Sequence, residues 1–180
     1  MTDFRAMIEA LARAKVRFIV AGGAAATAHG SARLTVPLDL VYQRTPENIG
    51  RLVLALRPQQ PYLRGAPPGL PFLWDEETVH RGLNFTLTTG WGDVDLLGEI
   101  TGGGTYEDLL PHTVTLEPFG IPCQWLGLER LIHVKRAAGR PKDLEVIAEL
   151  EAILEEHWLS MISDMRWRSR GRFSTFLLAP

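Results

Sequence analysis

Four short stretches of the chain carry residue types able to handle a phosphate ester, and three aspartates are the most telling. Asp39 sits in Arg33-Leu34-Thr35-Val36-Pro37-Leu38-Asp39-Leu40. Strand alternation would put Val36, Leu38 and Leu40 on one face and Pro37 and Asp39 on the other. A carboxylate within an apolar strand is costly unless it is paired or liganded; the other solution is an edge strand with Asp39 in water, which Pro37 favours. In Gly92-Asp93-Val94-Asp95-Leu96-Leu97 the same alternation puts Asp93 and Asp95 on one face. If the two strands are neighbours, Asp39 and Asp95 converge and need a cation. Mg²⁺ is the hard-oxygen choice when phosphates complete its shell.

The other two stretches supply groups for an anion. Phe18-Ile19-Val20-Ala21-Gly22-Gly23 reads as a strand ending in paired glycines. Such a turn either reverses the chain tightly or lets a phosphate approach the backbone at a helix N-terminus. Near the C-terminus, Leu128, Leu131 and Ile132 form a buried helical stripe whose next position is Lys135. That lysine either snorkels to water or aims its charge into a cleft. Arg136, Arg140 and Lys142 follow, as a polyphosphate-holding group or as a solvated face.

The elements that must position these residues follow from periodicity and punctuation. Phe4, Met7, Ile8 and Leu11 predict a helix over residues 3–14. Strands are expected over 16–21 and 36–42, with a short helix over 24–29 between them. Thr45-Pro46 caps a helix whose buried stripe is Ile49, Leu52, Val53 and Leu56. Residues 58–71, rich in proline and glycine, read as a long surface loop. Strands near 84–88 and 93–97, a second pair at 113–117 and 121–126, and helices over 127–137 and 141–158 complete the chain. Gly102-Gly103-Gly104 is an anion nest or a flexible strand-to-helix loop, and Cys123 is a strand packing residue. Helices and strands alternate, so the class is mixed α/β or α+β.

Composition narrows the function classes. The chain has 180 residues, 46% hydrophobic and 22% charged, with a net charge of −2. It is long enough for one core and excludes a disordered chain or one that coats nucleic acid by net charge. One cysteine excludes a disulfide scaffold, and five histidines spaced 21 or more positions apart leave no short metal motif. The start lacks signal-peptide order and no apolar run spans a bilayer, so a cytoplasmic protein without membrane contact is expected. Residues 159–180 change character: four arginines with Trp167 and Phe173 give an appended basic and aromatic tail to a domain at 1–158. Those residues either bind RNA by charge and stacking or form a disordered end.

Taken together, these stretches resemble the minimal nucleotidyltransferases of the DNA polymerase β superfamily, in particular the AbiEii-like toxin branch. The resemblance is carried by Phe18-Ile-Val-Ala-Gly-Gly23 with His29-Gly30-Ser31, by Arg33-x-Thr35-x-x-Leu38-Asp39-Leu40, and by Gly92-x-Val94-Asp95-Leu96-Leu97. Leu131-Ile132-x-x-Lys135-x-Ala-x-Gly139-Arg140-Pro141-Lys142-Asp143-Leu144 completes it, so residues 3–157 are covered. The resemblance implies a mixed sheet flanked by helices, with C-terminal helices. It implies Mg²⁺-dependent transfer of a nucleotide from a nucleoside triphosphate to a hydroxyl, with tRNA or another RNA as acceptor and a cognate antitoxin or toxin as partner. Asp39 and Asp95 match the second and third metal carboxylates, while Gly22, Gly23, Arg33, Lys135 and Arg140 match phosphate contacts. The first acidic position falls on Pro37, which cannot ligate a metal. Asp93 is the substitute within reach. A catalytically silent domain that binds a nucleotide, RNA or a partner protein is the rival reading, and adenylylation of a partner protein differs from the first only in acceptor.

Overall fold

The structure is a computed structural model that describes residues 2–33, 37–67 and 69–170, with side chains as far as Met161. Helix α1 (Phe4–Arg13) is capped by the Asp3 carboxylate, which accepts from the Ala6 N–H, and buries Met7, Ile8 and Leu11. Strand β1 (Phe18–Val20) is fully buried and runs directly into α2 (Gly22–Ala28). Strand β2 (Leu38–Tyr42) and helix α3 (Pro46–Leu56) follow. The Thr45 hydroxyl accepts from Asn48 N–H, as the Thr-Pro start requires. The beginning of the expected 36–42 strand, with Leu34, Thr35 and Val36, lies outside the described residues.

The 58–71 stretch is not all loop. A two-residue strand, β3 (Tyr62–Leu63), pairs with β4 (Asn84–Thr89), and α4 (Glu76–Arg81) starts at an Asp75 cap. Strand β5 (Gly92–Leu97), helix α5 (Tyr106–Leu109), and strands β6 (Thr113–Leu116) and β7 (Cys123–Leu126) lead to α6 (Leu128–Ala138). Gly139 closes α6 in the left-handed conformation, and α7 begins at Pro141. Helix α7 continues to Arg170, so it runs past the boundary expected at 158; residues 171–180 of the expected tail lie outside the described residues.

The strands form one mixed sheet of seven, ordered β3-β4-β5-β2-β1-β7-β6. Strand β2 is therefore central, antiparallel to β1 and parallel to β5. Its central place settles the question left open by Pro37: Asp39 is not on an edge. One face, with Leu38, Leu40, Val94, Leu96 and Leu87, is buried. Trp74 reaches from that layer to α3, donating from Nε1 to the Val53 carbonyl, and meets Phe85 edge to face. The opposite face carries the aspartates. Helix α2 packs there on β2 and on α6, and α6 packs on α7. The expected mixed α/β class, a mixed sheet flanked by helices with two helices at the C-terminal end, is the architecture found. Cys123 is buried on β7, with Trp125 Nε1 donating to its Sγ at 3.1 Å. Among the described residues no helix is long and apolar enough to cross a membrane.

Candidate functional site: an acidic floor under a cationic wall

The sheet register brings the aspartates together. Asp39 and Asp95 are direct partners in the parallel β2–β5 ladder, so both carboxylates leave the same face of adjacent strands. The same register, continued two residues back, sets Asp93 opposite Pro37. Both Asp39 and Asp95 line a cleft with two lobes of about 280 and 270 Å³. Gly22, Lys135, Arg140 and Asp143 belong to both lobes.

Gly22 is required where it stands. Its φ is +59°, and a Cβ built on it would lie 1.9 Å from Asp39 Oδ2. The glycine turn thus lets a carboxylate, rather than a side chain of its own, fill the space over the start of α2. Gly23 N–H points at that carboxylate, 3.4 Å from Oδ2, and Ala21 N–H donates to the Asp39 carbonyl at 2.9 Å. The Asp39 carboxyl lies above the ordinary carboxylate range. Burial is the largest cause and the Asp95 charge the second; the Gly23 hydrogen bond and the charges of Lys142 and Lys135 offset part of it.

The helical wall is built differently. Lys135 is buried, so it does not snorkel, and its Nζ donates to Asp143 Oδ1 at 3.1 Å. Arg140 Nε donates to the other oxygen of Asp143. Asp143 is itself buried, yet its carboxyl lies below the ordinary range. Desolvation pushes it up, and the hydrogen bonds and charges of Arg140 and Lys135 together push it down further. The α6–α7 break makes this possible: the left-handed Gly139 and Pro141 bring a residue eight positions after Lys135 back beside it.

The remaining sequence candidates fall as follows. Arg33 lines the second lobe, but its guanidinium pairs with Glu145 at 3.1 Å and Glu149 at 3.7 Å on α7. It ties the 31–33 segment to that helix, as does Ala32 N–H donating to Glu149. Asp93 accepts from the Thr88 hydroxyl at 2.8 Å and faces Arg64 at 3.7 Å. Among the described residues no three acidic, histidine or cysteine side chains are placed to hold one ion, so Asp93 does not complete a three-carboxylate centre with Asp39 and Asp95.

Two residues at the site escaped the sequence reading, Asp143 and Arg64, and a third, Lys142, was read only within a basic group. Asp143 looked like a helix-start acid. Lys142 was one of a group of basic residues; it lines the second lobe and, among the described residues, has neither a hydrogen bond nor an ion pair. Arg64 sat in the supposed loop, and its Nη2 donates to Asp95 Oδ1 at 2.7 Å.

The architecture is similar to the crystal structure of a Thermotoga maritima protein described there as a putative nucleotidyltransferase. The match has 16% identity and a TM-score of 0.48 over 84% of this chain and 90% of that one. No family model matches the sequence, and no curated protein does.

Proposed function

We propose that the cleft binds a nucleoside triphosphate with Mg²⁺ and transfers its nucleotide to a hydroxyl group, slowly in the chain as it stands. The observation that carries this reading is the pairing of Asp39 with Asp95 across β2 and β5, over a glycine turn and opposite Lys135, Arg140 and Lys142. The donor set fits one hard cation. Two converging carboxylates, one with a raised proton affinity caused by burial and by its neighbour, are the arrangement that a divalent ion with phosphate oxygens would neutralise. It does not supply the three carboxylates of a two-ion clamp. Bound Mg²⁺ would draw charge from the α-phosphate as the hydroxyl oxygen attacks and pyrophosphate leaves.

The chain's own groups would do the rest. Lys142, which among the described residues has no hydrogen bond or ion pair and acts on Asp39 only through its charge, is the cation able to meet a phosphate without breaking a contact. Lys135 and Arg140 would share Asp143 with it. RNA, tRNA in particular, is the proposed acceptor, in a toxin–antitoxin or abortive-infection system with a cognate protein partner; acceptor and setting rest on the sequence resemblance. The second reading, a nucleotide-, RNA- or partner-binding module without transfer, is favoured by one contact: Arg64 already holds an oxygen of Asp95.

Calorimetric titration with the four triphosphates and Mg²⁺, followed by transfer of labelled nucleotide to bulk RNA and to protein, tests the reading. Binding at micromolar to millimolar ligand is expected. Slow transfer is expected from the natural chain, and at least about tenfold faster transfer from Pro37→Asp, since each 1.4 kcal/mol of transition-state stabilisation is about tenfold in rate. Binding without transfer in either form establishes the binding module. No binding at millimolar ligand removes the nucleotide site altogether.

A further inference from the structure

We infer that Arg64 is a resident cation of this site: its guanidinium takes the charge of Asp93 and Asp95 that a second metal ion would otherwise take, so the cleft holds a single divalent ion. The inference deepens the reading above and rests on it only for the identity of that ion's site. The register carries it. Leu63 faces Leu87, Thr86 faces Asp95, and Asp95 faces Asp39. Arg64 N–H donates to the Thr86 carbonyl at 2.9 Å, so Arg64, Thr86, Asp95 and Asp39 form one row across four strands. Thr86 and Thr88 sit opposite Asp95 and Asp93 in the β4–β5 register, and the Thr88 hydroxyl donates to Asp93.

The guanidinium ends between two carboxylates, Nη2 at 2.7 Å from Asp95 Oδ1 and Nη1 at 3.7 Å from Asp93 Oδ2. Nη1 is buried and lacks a hydrogen-bond acceptor. The turn after Arg64 lies back on β3, with the Tyr62 hydroxyl within hydrogen-bond reach of the Pro67 and Leu70 carbonyls. Counted over Asp39, Asp93, Asp95 and Arg64 alone, the floor carries two negative charges, the charge of one divalent ion. Pro37, on the far side of Asp93 in the register, adds none.

The test counts Mn²⁺ bound to the full chain without nucleotide, from the electron paramagnetic resonance of the free ion. It therefore stands or falls apart from the transfer assay. The natural chain is expected to bind a single ion, lost in Asp39→Asn. Arg64→Gln, checked for folding by circular dichroism, is expected to take up a second ion or to bind the first at least about tenfold tighter, the usual scale for partners of a ligating carboxylate. Asp93→Asn added to Arg64→Gln should reverse the gain, and Arg64→Lys should keep the single ion. Two ions on the natural chain, no ion on any form, or a folded Arg64→Gln indistinguishable from the natural chain would each overturn the inference. If Arg64→Gln does not fold, the natural chain and Arg64→Lys decide it.

Discussion

The floor and the wall of the cleft hold one half-buried and one buried aspartate with opposite electrostatics. On the floor, Asp39 has a carboxylate beside it and an N–H end-on, and its carboxyl is shifted up. On the wall, Asp143 has two cations within hydrogen-bond reach, and its carboxyl is shifted down. Desolvation pushes both carboxyls up, so burial alone does not set the sign; the partner does. The wall is a finished structural ion pair. The floor is not: Asp39 keeps a like charge beside it, and only Asp95 and Asp93 are met by a cation, Arg64.

The largest expected effect comes from breaking the wall. Asp143→Ala leaves Lys135 buried without its counter-ion and should cost about 3–5 kcal/mol in urea unfolding. A loss under 1 kcal/mol would mean that Lys135 escapes to water and that the wall is not a structural pair. Next is the hinge between β1 and α2. Gly22→Ala puts a methyl into the Asp39 carboxylate and holds a non-glycine residue at positive φ, so about 2–3 kcal/mol should be lost, with Mn²⁺ binding. Smaller still, and of opposite sign, is Asp39→Asn, which removes the like-charge conflict and should stabilise the chain by about 1 kcal/mol at neutral pH.

The pH profile sharpens the same contrast. The folded chain holds the Asp39 proton more tightly than the unfolded chain does. That stability is present below the unfolded carboxylate range near pH 4 and is lost as pH rises through the raised folded value. Asp143 works the other way: its contribution is present above that range and is lost as pH falls through its lowered folded value. Thermal melts from pH 3 to 7 should therefore show a decline above pH 4 that Asp39→Asn flattens, and an acid loss that Asp143→Asn flattens. An identical profile for Asp39→Asn and the natural chain would place Asp39 in water.

The floor was legible because alternation within two strands is a local signal, and Asp39 and Asp95 needed only the assumption that the strands are neighbours. The Thr45-Pro46 helix start and the β4–β5 hairpin were legible for the same reason. What stayed hidden depends on contacts distant in sequence or on breaks in pattern. Arg64 follows a strand of two residues, too short for periodicity, inside a stretch whose prolines and glycines read as loop. Asp143 finds Lys135 only because the chain turns sharply at Gly139. Arg33 reads as a phosphate ligand until α7 folds back and offers Glu145 and Glu149. The 165–173 stretch has no clean periodicity in the sequence, so the continuation of α7 to Arg170 left no local signal to read; Glu155 to Met161, within the described side chains, are all exposed.

Cys123 gives the molecule a built-in clock. It is the single thiol of the chain, and its burial on β7 pushes its ionisation up. Both effects slow its reaction with a thiol reagent, since the thiolate is the reacting form and needs access. Its modification rate in native buffer is expected to rise with local opening around β7, in the way that amide exchange reads local unfolding. A new cysteine placed on the exposed side of the cleft would react at once, so a dye could be attached there with the native thiol left in place.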